Sequence, residues 1–129
     1  MKRILVIDDD RGVLELLKKI LEKNGYAVDT AVDAVEGLAK IYERPPDLIT
    51  LDILMPGITG IDKYGSSLCE IIKKHKTHQL IPVVIISIVK PGTDPIIEEM
   101  VKAADAYFTK PFHTQQVVDK IAELLKKKK

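Results

Sequence analysis

Apolar residues along this chain follow two alternating patterns. Short unbroken runs rich in β-branched side chains alternate with longer stretches in which apolar positions recur every three or four residues. The first pattern predicts strands covered on both faces, and the second predicts amphipathic helices. Residues 4–7 (ILVI) run without a polar break into Asp8, Asp9 and Asp10, which predicts a central strand. Val13, Leu14, Leu17, Ile20, Leu21 and Asn24 then keep helical spacing as far as Gly25, a residue suited to ending a helix. Residues 26–30 predict a second, short strand. Asp33, with Glu36 three positions later, forms a capping box ahead of a helix marked by Val35, Leu38, Ala39 and Tyr42, which ends before Pro45-Pro46.

Residues 47–51 (DLITL) predict a third strand ending at Asp52, and Met55-Pro56-Gly57 beyond it predicts a loop, since no helix continues through that sequence. Ile61, Tyr64, Leu68, Ile71 and Ile72 mark a third helix, and residues 82–87 (PVVIIS) a fourth strand. Asp94-Pro95 places a capping side chain before a proline at the first helical position, so a fourth helix starts there. Residues 107–109 predict a short fifth strand. Val117, Val118, Ile121, Ala122, Leu124 and Leu125 then set out a fifth helix running into residues 126–129, all lysine, which suit the negative C-terminal end of a helix. Strands alternating one for one with helices imply parallel strands joined by right-handed crossovers. The expected architecture is a three-layer α/β sandwich, a doubly wound parallel sheet with helices on both faces.

Length and composition narrow this picture. A chain of 129 residues with 46% hydrophobic content suits one domain, taken as residues 1–129. Twenty basic against nineteen acidic residues leave a net charge of +1, so no whole-molecule field favours nucleic acid or a membrane, and neither is expected as a direct partner. The apolar run at the N-terminus is too short for a signal peptide, and no stretch reaches the roughly 20 apolar residues of a membrane span. The single cysteine, Cys69, excludes an internal disulfide framework and suits a reducing, cytoplasmic setting.

In doubly wound sheets, ligands bind beyond the carboxyl ends of the strands. The polar residues there are Asp8 and Asp9 after strand one, Asp52 after strand three, Ser87 after strand four and Lys110 after strand five. Three carboxylates gathered in one crevice repel and call for a cation, and an all-oxygen set suits Mg²⁺. Lys110 supplies a further positive charge. A carboxylate can then act as a phosphoryl-accepting nucleophile, with a hydroxyl at hand to bond one phosphoryl oxygen.

The segments ILVIDDD, DLITLDILMPGITG, IPVVIIS and DAYFTKPF resemble, in order and placement, the receiver domains of two-component response regulators, and the resemblance covers essentially the whole chain. It implies a flavodoxin-like, chemotaxis-regulator-like fold with strand order 2-1-3-4-5. It also implies that Asp52 accepts a phosphoryl group from a sensor histidine kinase or a phosphotransfer protein. Asp8, Asp9, Asp52 and the backbone carbonyl of Leu54 would hold Mg²⁺, and Lys110 would pair with the phosphoryl group. Ser87 would be the hydroxyl that moves to meet that group, Tyr107 the aromatic switch whose ring turns inward, and Pro111 the residue after a bond that is usually cis. The implied protein is a phosphorylated signalling domain, not a turnover enzyme. Its fourth helix, fifth strand and fifth helix would face an unidentified downstream protein, with room for a phosphorylation-dependent dimer.

Several residues depart from that pattern. Ile88 stands where the family usually has alanine, residues 88–94 (IVKPGTD) carry an unusual proline and glycine, and Ala103 replaces a common glycine before strand five. The segment KKHKTHQLI lengthens the passage from helix three to strand four. There His75 and His78, among Lys73, Lys74 and Lys76, read as a solvated basic helix end rather than a metal site. Leu54 and Val89, both apolar, occupy positions that in the family control access of water to the phosphoryl group. Two other functions compete. A haloacid-dehalogenase-type phosphatase would use Asp8 as nucleophile, but Gly12 breaks its motif and Asp52 would have no role. A pseudo-receiver scaffold would keep the fold without being phosphorylated, against which stands the complete acid, hydroxyl and lysine set.

Overall fold

The structure, a computed structural model, describes residues 1–54, 66–92 and 94–127. Its elements are β1 (Arg3–Ile7), α1 (Arg11–Lys23), β2 (Ala27–Ala31), α2 (Ala34–Glu43), β3 (Leu48–Leu51), α3 (Ser66–Lys74), β4 (Val83–Ser87), α4 (Pro95–Ala103), β5 (Ala106–Thr109) and α5 (Thr114–Lys127). The strands form one parallel sheet in the order β2-β1-β3-β4-β5. The Met55-Pro56-Gly57 loop, Ile61 and Tyr64 of the expected third helix, Thr93 and the last two lysines lie outside the described residues, as do the side chains of Cys69 and Lys127.

The continuous apolar runs became the strands with both faces covered. Successive side chains of β1, β3 and β4 point to opposite faces. Leu5, Ile7, Ile49, Leu51, Val83 and Ile85 pack on one side, against Ile41 of α2, Leu68 and Ile72 of α3, and Ile97 and Met100 of α4. Ile4, Val6, Leu48, Val84 and Ile86 pack on the other, against Leu14, Leu17 and Leu21 of α1 and Val117, Val118 and Ile121 of α5. Each fully buried Ile or Leu contributes about 1.5–3 kcal/mol of hydrophobic stabilisation, so these two clusters dominate the fold's favourable terms.

Strand ends differ from the expected ones by one residue. Asp47 stands outside β3, yet its N–H reaches the Arg3 carbonyl at 2.7 Å and its carboxylate accepts the Arg3 N–H at 2.8 Å. The face of α2 is also displaced. Val35 and Tyr42 are exposed, and Ala34, Gly37 and Ile41 are buried instead. Small residues let α2 lie close to the sheet, so close that a Cβ on Gly37 would sit 2.7 Å from Ile7 Cδ1.

Asp10 caps α1, its carboxylate accepting the N–H groups of Gly12 and Val13, and Asp33 caps α2 through the Glu36 N–H. At the other end of α1, Gly25 has φ +92° and its N–H returns to the Glu22 carbonyl at 3.0 Å. A Cβ there would meet nothing within 4 Å, so its cost is conformational alone. Gly25→Ala is therefore expected to destabilise the protein by about 1–2 kcal/mol in urea unfolding; a loss of only a few tenths would mean that the turn relaxes. Ala103, as the last residue of α4, needs no positive φ.

The long passage after α3 is not the solvated basic end that its composition suggests. The Gln79 N–H bonds the His75 carbonyl at 2.8 Å and the Ile81 N–H bonds the His78 carbonyl at 3.0 Å. This turn folds inward, and His78 is only 3% exposed.

Candidate functional site

The backbone hydrogen bonds of the sheet run one step past the strands and hold the polar residues in place. Asp8 N–H bonds the Ala31 carbonyl at 3.0 Å, Asp52 N–H the Ile7 carbonyl at 3.0 Å, and Lys110 N–H the Ser87 carbonyl at 2.8 Å. Asp8, Asp52 and Lys110 therefore start from the same edge. Lys110 Nζ lies 2.8 Å from Asp8 Oδ2 and 3.0 Å from Asp52 Oδ2, a bridge between two carboxylates on neighbouring strands. The Lys110–Pro111 peptide is cis.

Asp8 and Asp52 are buried and Asp9 is exposed, yet one carboxylate oxygen from each lies within 4.8 Å of the others. Asp8 Oδ1 accepts the Asp10 N–H at 2.9 Å, and Asp52 Oδ1 accepts the Leu54 N–H at 2.9 Å. Each buried carboxylate thus has one oxygen fixed by backbone and the other on Lys110. Burial pushes the Asp8 carboxyl above its ordinary range; the bonds to Lys110 and to the Asp10 N–H pull it back only in part, and the Asp52 charge adds to the rise. Burial works against the charge of Lys110 too, but the bonds to Asp8 and Asp52 outweigh it and hold the ammonium above its usual range. One ammonium cannot satisfy three carboxylates. Three oxygen donors, with one carboxylate facing solvent, make a set that fits a hard divalent cation such as Mg²⁺.

Ser87 is fully buried at the end of β4, and its Oγ accepts the Val89 N–H at 3.3 Å. Tyr107, half-buried on β5, donates its hydroxyl to the Val89 carbonyl. Burial, then the charges of Asp52 and Glu98, raises the Tyr107 phenol above its ordinary range, so it stays a donor. Val89 thus engages both side chains through its own backbone. Sequence reasoning assigned Val89 only an apolar side chain, because backbone groups leave no signal in residue identity. Ile88 is 59% exposed, and Leu54 and Val89 pack partly buried against the core. The Gly92 N–H bonds the Glu98 carboxylate of α4.

The family described as the response regulator receiver domain matches residues 4–122. The DNA-binding dual master transcriptional regulator RpaA of Synechocystis is 33% identical over 127 residues, 98% of this chain and 50% of that protein. The alkaline phosphatase synthesis transcriptional regulatory protein PhoP of Bacillus subtilis is 32% identical over 126 residues, 98% of this chain and 49% of that protein. The chain therefore spans about half the length of the curated relatives it matches. Among solved structures, a CheY-like receiver domain protein of Methanospirillum hungatei superposes with TM-score 0.84 at 35% identity, covering 99% of this chain and 96% of that one. The response regulator TrrA of Thermotoga maritima, solved in complex with Mg²⁺ and BeF, gives TM-score 0.80 at 34% identity over 96% of this chain and 99% of that one. With its sheet order, its clustered acids and these likenesses in agreement, the chain belongs to the response regulator receiver domain family.

Proposed function

We propose that Asp52 is the phosphoryl acceptor of this receiver domain. The observation that carries this reading is the Lys110 bridge between Asp8 and Asp52 beside the exposed Asp9. An Asp52 carboxylate oxygen attacks the phosphorus of a phosphohistidine or a small acyl phosphate. The new P–O bond forms as the bond to the donor breaks, and the donor leaves with the bonding pair. Mg²⁺ held by Asp8, Asp9, Asp52 and the Leu54 carbonyl would neutralise the phosphoryl oxygens, as expected for carboxylate clusters of this type.

The remaining roles belong to the chain's own residues. Lys110 exchanges part of its bonding with Asp52 for a phosphoryl oxygen. Ser87 Oγ leaves the Val89 N–H and donates to another oxygen, and Tyr107, already tied to the Val89 carbonyl, shares the rearrangement. Because Val89 links the two, the change passes to the face of α4, β5 and α5. A sensor histidine kinase or a phosphotransfer protein supplies the phosphoryl group in the cytoplasm, and that face binds a downstream protein or, once phosphorylated, a second copy. Among the described residues, no helix is long and apolar enough to cross a membrane. We take residues 1–129 to act as one receiver domain whose only chemistry is its own phosphorylation and dephosphorylation.

Intact-mass analysis after incubation with acetyl phosphate, with and without Mg²⁺, tests this. One phosphoryl adduct that requires Mg²⁺ is expected. Absence of an adduct under every condition would instead favour a scaffold that is never phosphorylated.

The phosphoaspartate should be long-lived, because neither Leu54 nor Val89 can orient an attacking water. Leu54→Ala or Val89→Ala is expected to shorten its half-life by removing apolar cover. Unchanged half-lives in both variants would remove shielding as the explanation.

A further inference from the structure

Far from the acid cluster, the α3–β4 turn meets the end of α2 through three rings. His75 and His78 stack with centroids 4.0 Å apart and planes 16° from parallel. The Tyr42 ring stands edge-on to both, 5.4 Å from His75 and 5.0 Å from His78. His75 Nδ1 accepts the Thr77 N–H at 3.1 Å. His78 is buried, and its Nδ1 is the buried side-chain nitrogen or oxygen that, among the described residues, has no hydrogen-bond partner. Parallel rings cannot aim two lone pairs at one ion, so the pair does not preform a chelate. What it does form is a stacked contact that buries His78 where a charge is costly, and that two imidazolium rings at this distance would oppose by repulsion.

We propose that Tyr42, His75 and His78 form a proton-sensitive clasp, which fastens the α3–β4 turn to the end of α2 at neutral pH and releases it in acid. The groups around the pair favour this behaviour. From α2 the titratable group facing both rings is the Tyr42 phenol. Glu43 and Arg44, next in the chain, instead line a cleft of about 200 Å³ with Asp29 and Lys40. From α3 and the turn, Lys74 and Lys76 stand next to His75 in the chain. Lys73 is drawn away to the Ile81 carbonyl and Asp105, each at 3.2 Å, and Asp105 also accepts the Val83 N–H at 2.8 Å. This second attachment pins the start of β4, so release is confined to residues 75–81.

Burial first, and then His75, holds the His78 imidazole below its ordinary range. The unfolded chain therefore takes up a proton below about pH 6.5 before the folded one does. Stability and closure of the turn are complete above that pH and are lost as the pH falls through it.

Amide hydrogen exchange tests the clasp, since the Gln79 and Ile81 N–H groups bond the His75 and His78 carbonyls. Between pH 7.5 and 5.5, after correction for intrinsic rates, their protection is expected to fall several-fold, toward the limit of about tenfold that one imidazole of ordinary value near 6.5 can supply one pH unit below it. In His78→Phe, which keeps a stacking ring without a titrating nitrogen, protection should stay flat. An equal fall in both proteins would overturn the proposal. Should the variant not fold, imidazole NMR titration of the wild-type protein decides alone: His78 protonating at or above the value of a free histidine peptide overturns the clasp, and protonation clearly below it, together with the loss of protection, supports it.

Discussion

Asp52→Asn is expected to abolish the Mg²⁺-dependent phosphoryl adduct while leaving the fold in place. The amide is isosteric with the carboxylate and can still accept the Leu54 N–H that holds Asp52 Oδ1 at 2.9 Å. Its oxygen, however, lacks the negative charge that makes a carboxylate a phosphoryl acceptor, and removing a nucleophile costs rates on the order of a thousandfold or more. Lys110 keeps its bond to Asp8, so no buried ammonium is left alone. Circular dichroism should be unchanged, and the mass shift seen with acetyl phosphate should disappear. An adduct that survives Asp52→Asn but is lost in Asp8→Asn would transfer the nucleophile to strand β1 and revive the phosphatase reading. Loss in both variants, with rapid binding of Mg²⁺ retained only in Asp52→Asn, would leave Asp52 as the acceptor and Asp8 as a supporting ligand.

Much of this site was legible because an unbroken apolar run ending in an aspartate is a strong local signal. Residues 4–7 and 47–51 read as buried strands, and in a doubly wound sheet the residues after the strands gather at one edge. Asp8 and Asp52 follow from that as residues of one edge, and their placement on adjacent strands follows from the order 2-1-3-4-5 that the resemblance to receiver domains implies. Lys110 is a different matter, because β5 lies two strands from β3, about 10 Å away at ordinary strand spacing. Its reach depends on a long flexible side chain and on the backbone bond that fixes Lys110 N–H to Ser87, neither of which periodicity reveals. Elsewhere, local pattern misled. On α2, Val35 and Tyr42 keep helical spacing, but the close approach to Ile7 requires the small face of Ala34 and Gly37 to turn inward. His78 sits among lysines, a composition that signals solvent, yet the turn after α3 needs a ring to fill the space beside Tyr42. The common cause is that packing partners distant in sequence override short-range pattern.

Lys110→Met is expected to cost about 3–5 kcal/mol at neutral pH without Mg²⁺, the range for breaking a buried ion pair by removing one partner. The side chains of Lys110, Asp8 and Asp52 are 14%, 3% and 7% exposed, so water cannot take over the role of the ammonium. Methionine fills the same volume and leaves two carboxylates facing each other. The loss should then depend on pH in a definite direction. Burial already lifts the Asp8 carboxyl, and removing Lys110 deletes the strongest effect opposing that rise. A carboxyl raised in the folded state binds its proton there before it does in the unfolded chain, so stability increases as the pH falls toward that value. The gap between variant and wild type should therefore narrow in acid. Millimolar Mg²⁺ should also narrow it at neutral pH, since a cation held by the same carboxylates replaces the missing charge. Chemical denaturation with and without Mg²⁺ reads both effects. A neutral-pH loss below about 1 kcal/mol, the level of an exposed salt bridge, would show that the acid cluster does not need its lysine to fold. In that case Lys110 would serve the phosphoryl group alone.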